Sequence, residues 1–294
     1  MPTRGSAINP LAKAYRDLSV AAKVDLKGAA TSARLLALVE TSLNFLNNKC
    51  VKVDLISRVA GKSYASYAKR TTPNEISRPA NTSLFVVDIA WIREKWQAWR
   101  TQSLTSDEIA KLGYTMATAY SVASDLFDRN NKKGPATYFE HLVGHLFARQ
   151  YGVNPTKEAH FTIAKESVSM TMDFLFELGE RKPRIHLPVK LSTRERVVQA
   201  WSHQRMLDAH YGDDSYRAVL VIHSETKLDS RSHEVIEITV PRQWLAYQTL
   251  LAKMDRIYFF DMPDNYATLS RNYPNIITVK PFAEFFTERA KVTG

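Results

Sequence analysis

Apolar residues recur at helical spacing in several blocks along the first half of the chain. Leu11, Ala14, Tyr15, Leu18 and Ala22 share one face and predict a helix over residues 8–28. The run TSARLLALVETSLNFLNN predicts a stronger one, capped by Thr31 or Ser32 and closing at Asn47 and Asn48. Periodicity then fails from Gly61 to Thr82, a polar, basic and aromatic stretch that reads either as an exposed loop or as a surface for phosphates. Helical spacing returns in SLFVVDIAWIREKWQAWR, in residues 106–130 and in GPATYFEHLVGHLFARQYG, where Tyr138, Leu142, Val143, Leu146 and Phe147 form the stripe and Gly152 the stop. Trp91, Trp96 and Trp99 read as packing anchors.

Beyond residue 155 the pattern changes to short β-type runs alternating with helices. HFTIA, SVSMTMDFLFEL, RIHLPVKLS, RAVLVIHS, VIEITVP, RIYFFD and NIITVK predict strands; residues 194–210, 241–254 and 281–291 predict helices, Pro241 standing where a first helical turn favours proline. SETKLDSRSHE and MPDNYATLSRNYP read as polar or turn-rich links. The order implies an α/β fold, a mixed central β-sheet flanked by helices, with a mainly helical, basic N-terminal region at 1–130 and the α/β core at 131–294.

Three side chains disturb this apolar scheme. Asp173 lies inside the second strand between Met172 and Phe174, where alternation puts Met170, Met172, Phe174 and Phe176 on one face and Thr171, Asp173 and Leu175 on the other. Lys190 lies near the end of the next short strand, seventeen residues later, and Glu140 lies just off the apolar stripe of the preceding helix. Taken singly, each has an ordinary structural reading as a solvent-facing acid, an edge lysine or a helix-surface glutamate. His141 and His145, four apart on that helix, have the spacing to share a zinc ion, but Leu142 stands where a metalloprotease needs glutamate, so both read as structural.

The sequence helix, strand with Asp173, turn, strand with Lys190, helix resembles the catalytic core of the PD-(D/E)XK nuclease superfamily, and within it type II restriction endonucleases. The resemblance implies a restriction-endonuclease-like core, with Asp173 as the first acid, Lys190 as the lysine and Glu140 as the helical carboxylate. It departs from the pattern two residues before Lys190, where Pro188 replaces the second acid. Glu140 or Glu195 is expected to supply that carboxylate, in preference to Glu166 and Glu177, with water, a main-chain carbonyl or Gln204 as the remaining alternatives. Glu195 also has a simpler reading, a first-turn acid after the N-cap Ser192 or Thr193. The implied activity is Mg²⁺-dependent, site-specific cleavage of double-stranded DNA by a homodimer, with a companion methyltransferase protecting host DNA. A repair or modification-dependent nuclease of the same fold, and a non-catalytic DNA-binding protein on a degenerate scaffold, stay open. Mg²⁺ suits such a site because it needs only one or two carboxylates plus phosphate oxygens.

Charge adds a partner. Of the net +10 over 294 residues, residues 1–95 carry 15 basic against 7 acidic side chains, a net +8. A basic surface of this kind suits a polyanion. Lys62, Tyr64, Lys69, Arg70 and Arg78 in the aperiodic stretch, with Arg194 beyond the catalytic strands, are the candidate DNA contacts. The single cysteine, Cys50, excludes an internal disulfide framework and a zinc ribbon. No apolar run reaches membrane-spanning length and no signal-peptide pattern opens the chain, so a cytoplasmic location is expected.

Overall fold

The structure is a computed structural model that describes residues 9–99, 104–131, 133–180, 182–193, 197–229, 231–232 and 234–288. Its centre is α4 (Ser106–Phe127), buried along nearly its whole length. A capping box opens this helix, the Thr105 side chain accepting from Glu108 N–H while the Glu108 carboxylate accepts from Thr105 N–H. Around it pack α1 (Pro10–Val24), α2 (Ala29–Lys49), α3 (Ile89–Trp99) and α5 (Lys133–Tyr151). One hydrophobic core runs from Leu11 in α1 through all five helices to Phe174 and Phe176 in a strand and Phe282 and Phe285 near the C-terminus.

Two sheets flank the helices. The larger has the order β13-β12-β9-β7-β6-β5, with β8 also on β9. Here β5 is Thr156–Ile163, β6 Glu166–Phe176, β7 Arg184–His186, β8 Val189–Lys190, β9 Tyr216–Ile222, β12 Arg256–Phe259 and β13 Val279–Pro281. The strands β7, β8, β9, β12 and β13 run parallel and β5 and β6 antiparallel, the mixed sheet expected from the sequence. α6 (Val198–Tyr211), α7 (Pro241–Leu250) and α8 (Asp264–Asn272) belong with its outer side, where Trp201, Trp244, Tyr266 and Ile222 form a second core. The beginning of the predicted 194–210 helix, with Glu195 and Arg194, lies outside the described residues.

The smaller sheet has the order β10-β11-β1-β2-β3, with β4 on β2. Its strands are β1 (Cys50–Ser57), β2 (Tyr64–Lys69), β3 (Thr72–Ile76), β4 (Ala80–Asn81), β10 (Thr226–Leu228) and β11 (Glu234–Glu237). The aperiodic stretch from Gly61 to Thr82 is therefore largely strand, not loop. In β2, Tyr64 to Ala68 are all buried, so neither face is exposed and the alternation that marks a half-exposed strand is missing. α8 is likewise a helix where a turn-rich link was expected: only Tyr266 and Leu269 of its residues are buried, which leaves little stripe to detect. The last predicted helix begins as a short 3-10 turn at Phe282–Glu284.

Candidate active site

β6 positions the site. Between the pairs Thr156↔Leu175 and Glu158↔Thr171, β5 advances two residues while β6 advances four, a bulge that contains Asp173. A bulge twists the strand and re-aims a side chain, and it breaks the strict alternation read from the sequence. Met172 accordingly packs with Leu175, Leu207 and Tyr216, whereas Phe174 joins the helical core.

Pro188 has a local reason in the same place. β7 and β8 form one strand alongside β9, interrupted at Leu187 and Pro188. Leu187 N–H still donates to Phe174 O at 2.9 Å; Pro188 has no N–H to offer. The Asp173 carboxylate fills the gap, its Oδ2 accepting from Val189 N–H at 2.8 Å and from Lys190 Nζ at 2.8 Å. The Asp173 and Lys190 side chains are 22% and 24% exposed, sheltered yet open to a ligand.

Glu140 reaches the pair from α5. Its close approach depends on Gly144, one turn further on, where a Cβ would lie 2.5 Å from the Phe174 ring and 2.9 Å from Leu26. Burial, and next the Asp173 charge, hold the Glu140 carboxyl above its ordinary range, while Lys157 and Lys190 oppose this. Lys157 lies 3.7 Å from Glu140 and sits over the Phe174 ring at 4.6 Å. Asp173, Lys190 and Glu140 thus come together as an electrostatic unit. Glu166 is exposed in the β5–β6 hairpin and Glu177 is exposed after β6.

Gln204 is buried and fully engaged. Its Nε2 donates to Asp208 Oδ1 at 2.7 Å and Tyr216 O at 2.9 Å, and its Oε1 faces His186 Nδ1 at 3.0 Å. His186 is therefore protonated on Nδ1, and burial pulls its pKa down to about 4. Against its ring, 6.4 Å between centres, packs His203 of α6. Burial lowers the pKa of His203 too; the Asp173 charge raises it and the Lys190 charge lowers it, so both charges reach the ring. Neither histidine stands out in the sequence; the available signal is the position of His203 beside Gln204 in the helix that follows Lys190.

The proposed DNA contacts divide. Lys62 Nζ donates to Glu237 at 2.9 Å, to Asp261 at 2.9 Å and to Met262 O at 2.6 Å, and Tyr64 OH donates to Asp261 at 3.0 Å. Arg78 makes a bidentate pair with Asp125 at 2.8 Å per bond. These three hold the fold together. Lys69 is half-buried and Arg70 exposed at the end of β2. His145 is buried, with Nδ1 2.6 Å from Leu26 O, and His141 is half-buried.

Carboxylates, a lysine and a bulged strand suit the chemistry of a hard divalent cation. Among the described residues no three His, Cys, Asp or Glu side chains converge as a ready-made metal cage. Asp173 with Glu140 nevertheless fits the one or two carboxylates that Mg²⁺ takes when substrate phosphate completes its shell.

The sequence matches no family model and no curated relative. Its fold does have a solved counterpart. The crystal structure of the type IIP restriction endonuclease Kpn2I is similar with a TM-score of 0.81, covering 96% of this chain and 96% of that chain at 22% identity. Restriction endonuclease PspGI in complex with substrate DNA is also similar, with a TM-score of 0.41, 13% identity and coverage of 97% and 93%. The chain has a restriction-endonuclease-like α/β fold. Among the described residues no helix is long and apolar enough to cross a membrane.

Proposed function

We propose that the protein is a Mg²⁺-dependent endonuclease that cuts double-stranded DNA at a specific short site, as a type II restriction enzyme does. The observation that carries this reading is the Asp173–Lys190 contact of 2.8 Å in a strand bulge, with Glu140 close enough to feel both charges. Asp173 and Glu140 would hold the metal, which supplies a polarised water and charge neutralisation at the phosphate. The Lys190 ammonium, anchored by Asp173, is placed to orient an attacking water and to offset charge developing on the phosphate. Val189 N–H, donating to the same carboxylate oxygen, fixes the carboxylate that both partners depend on. Outside the site, Lys69 and Arg70 are the members of the basic N-terminal set best placed to meet phosphates, and Arg194 is kept as a further contact. A homodimer working on a palindromic site, with a companion methyltransferase and a cytoplasmic location, completes the proposal; the similarity to Kpn2I, a type IIP restriction endonuclease, supports it.

Incubating the protein with plasmid DNA and Mg²⁺ tests the proposal. Discrete fragments are expected, absent with EDTA and absent for Asp173→Asn and Lys190→Ala. Binding without cleavage would instead make it a DNA-binding protein on a nuclease scaffold, the reading that Pro188 at the second-acid position favours. A smear of products would point to a repair-type nuclease.

A further inference from the structure

Four charged side chains meet beside the bulge in β6: Asp173 with Lys190, and Glu140 with Lys157. The two pairs are unlike. Lys190 Nζ lies 2.8 Å from Asp173 and its side chain is 24% exposed, whereas Lys157 Nζ lies 3.7 Å from Glu140 and its side chain is 48% exposed. A separation of 3.7 Å is beyond the range of a charge-assisted hydrogen bond. Lys157 is therefore loosely paired, and its ammonium is open to a further acceptor.

What keeps the lysine at the site is an aromatic face. Lys157 stands in β5 between Thr156 and Glu158, across from the bulge that contains Asp173, and its ammonium rests 4.6 Å from the centre of the Phe174 ring. That ring is 1% exposed and packs tightly against Gly144 of α5, so it is a fixed point. A cation over such a ring is held without a directional bond, and its flexible four-carbon stem lets it turn to a new partner. The ground beyond Glu140 is basic as well: the charges of Lys157 and of Lys23, in the last turn of α1, both reach the neighbouring His141. A polyanion entering the site meets the two carboxylates, and a cation at their outer edge offsets that repulsion.

We infer that Lys157 is a substrate-binding residue: its ammonium leaves Glu140 for a backbone phosphate when duplex DNA enters the site. The inference rests on the endonuclease reading for its substrate. The exchange is favourable because a loose ion pair between partly exposed groups stabilises little, whereas a phosphate oxygen accepts a full charge-assisted hydrogen bond. Lys190 is unsuited to the same move, since it would have to break its 2.8 Å contact with Asp173. The two lysines thus divide the work, one fixed on a carboxylate and one passing to the substrate.

The test is the salt dependence of binding to a short DNA duplex, measured on the full-length protein with EDTA present. Each phosphate contact contributes about 0.9 to the slope of log affinity against log salt. Lys157→Met keeps the stem over the ring and removes the charge. It should lower the slope by about 0.9 and weaken binding roughly five- to tenfold at about 0.1 M salt. Lys157→Gln, a second neutral variant, should do the same, and Lys157→Arg should restore both values. The loss should persist when Glu140 is first changed to Gln, because the phosphate is the partner that counts. A lysine that merely steadied Glu140 would leave the slope untouched, and its removal would change nothing in Glu140→Gln. A wild-type slope in Lys157→Met, a slope that arginine does not restore, or wild-type protein that binds no duplex would each overturn the proposal. The plasmid assay judges the endonuclease reading apart from it. Fragments with an unchanged slope would sink the role of Lys157 alone, and a lowered slope without fragments would sink the nuclease alone.

Discussion

Lys62 shows how far a charged side chain can move from its sequence reading once its partners are known. Burial pulls its pKa down, yet Asp261 and Glu237 more than offset this and leave it raised, so the ammonium is held charged. Asp261 is 2% exposed and also takes Tyr64 OH and, at 3.1 Å, Asn81 Nδ2. Removing the cation would strand the buried Asp261 and the half-buried Glu237 carboxylates, so Lys62→Met should destabilise the fold by about 3–5 kcal/mol, seen as a lowered midpoint in denaturant. Lys69→Ala and Arg70→Ala should change stability by no more than about 0.5 kcal/mol. If they do meet phosphates, the same changes will weaken DNA binding and flatten its dependence on salt. No sequence rule could separate these lysines, because the partner of Lys62 lies 199 residues away. Asp173 and Lys190 were legible for the opposite reason: they lie seventeen residues apart on neighbouring strands, and the elements between them have clear periodicity.

Buried histidines add a dependence on acid. Burial depresses His223 to about 3 and His141 to about 4. His223 is walled in by Tyr114, Phe139 and Phe260, with Nε2 2.8 Å from Thr118 Oγ1. Above about pH 6.5 these rings are neutral in folded and unfolded chains alike, so full stability is retained. Below it the unfolded chain takes up protons that the folded chain refuses, and stability falls until the pH nears 3–4. Thermal midpoints measured from pH 7.5 to 4.5 should decline progressively, and His223→Gln should lessen the slope.

The packing of α5 on β6 decides where the acid of the helix sits. Gly144 is the contact point, and Glu140 lies one turn before it on the same side. Gly144→Ala would drive a methyl group into the Phe174 ring and lift the helix, so a loss of about 1–3 kcal/mol is expected. Cleavage should fall further than stability alone explains, since Glu140 would retreat from Asp173; measuring both on one preparation separates the effects. This glycine looked unremarkable in the sequence, inside a helix that already had a stop at Gly152. Elements with one apolar stripe were readable, whereas β2, buried on both faces with small Ala65, Ser66 and Ala68, and α8, with two buried residues, offered no period to read. β10 was hidden as well, three half-buried residues at the margin of a sheet.

The two sheets are joined by one continuous run of chain. β9 leaves the larger sheet at Ile222, and after His223, Ser224 and Glu225 the chain enters the smaller sheet as β10. Glu225 secures the crossing: its carboxylate accepts from Thr193 N–H at 2.9 Å and from the Thr193 hydroxyl, and its carbonyl accepts from Ile238 N–H at 2.9 Å. Glu225→Ala should therefore loosen both sheets together, with a single unfolding transition shifted as a whole when followed by fluorescence and by circular dichroism. The pairing of Ile56 with Glu234 and of Ser57 with Val235 has a further effect, on biosynthesis. During translation β1 emerges about 180 residues before its partner, and its hydrogen-bonding edge must wait for that partner. Contacts so distant in sequence close slowly. The smaller sheet is thus kept from closing until β11 has left the ribosome.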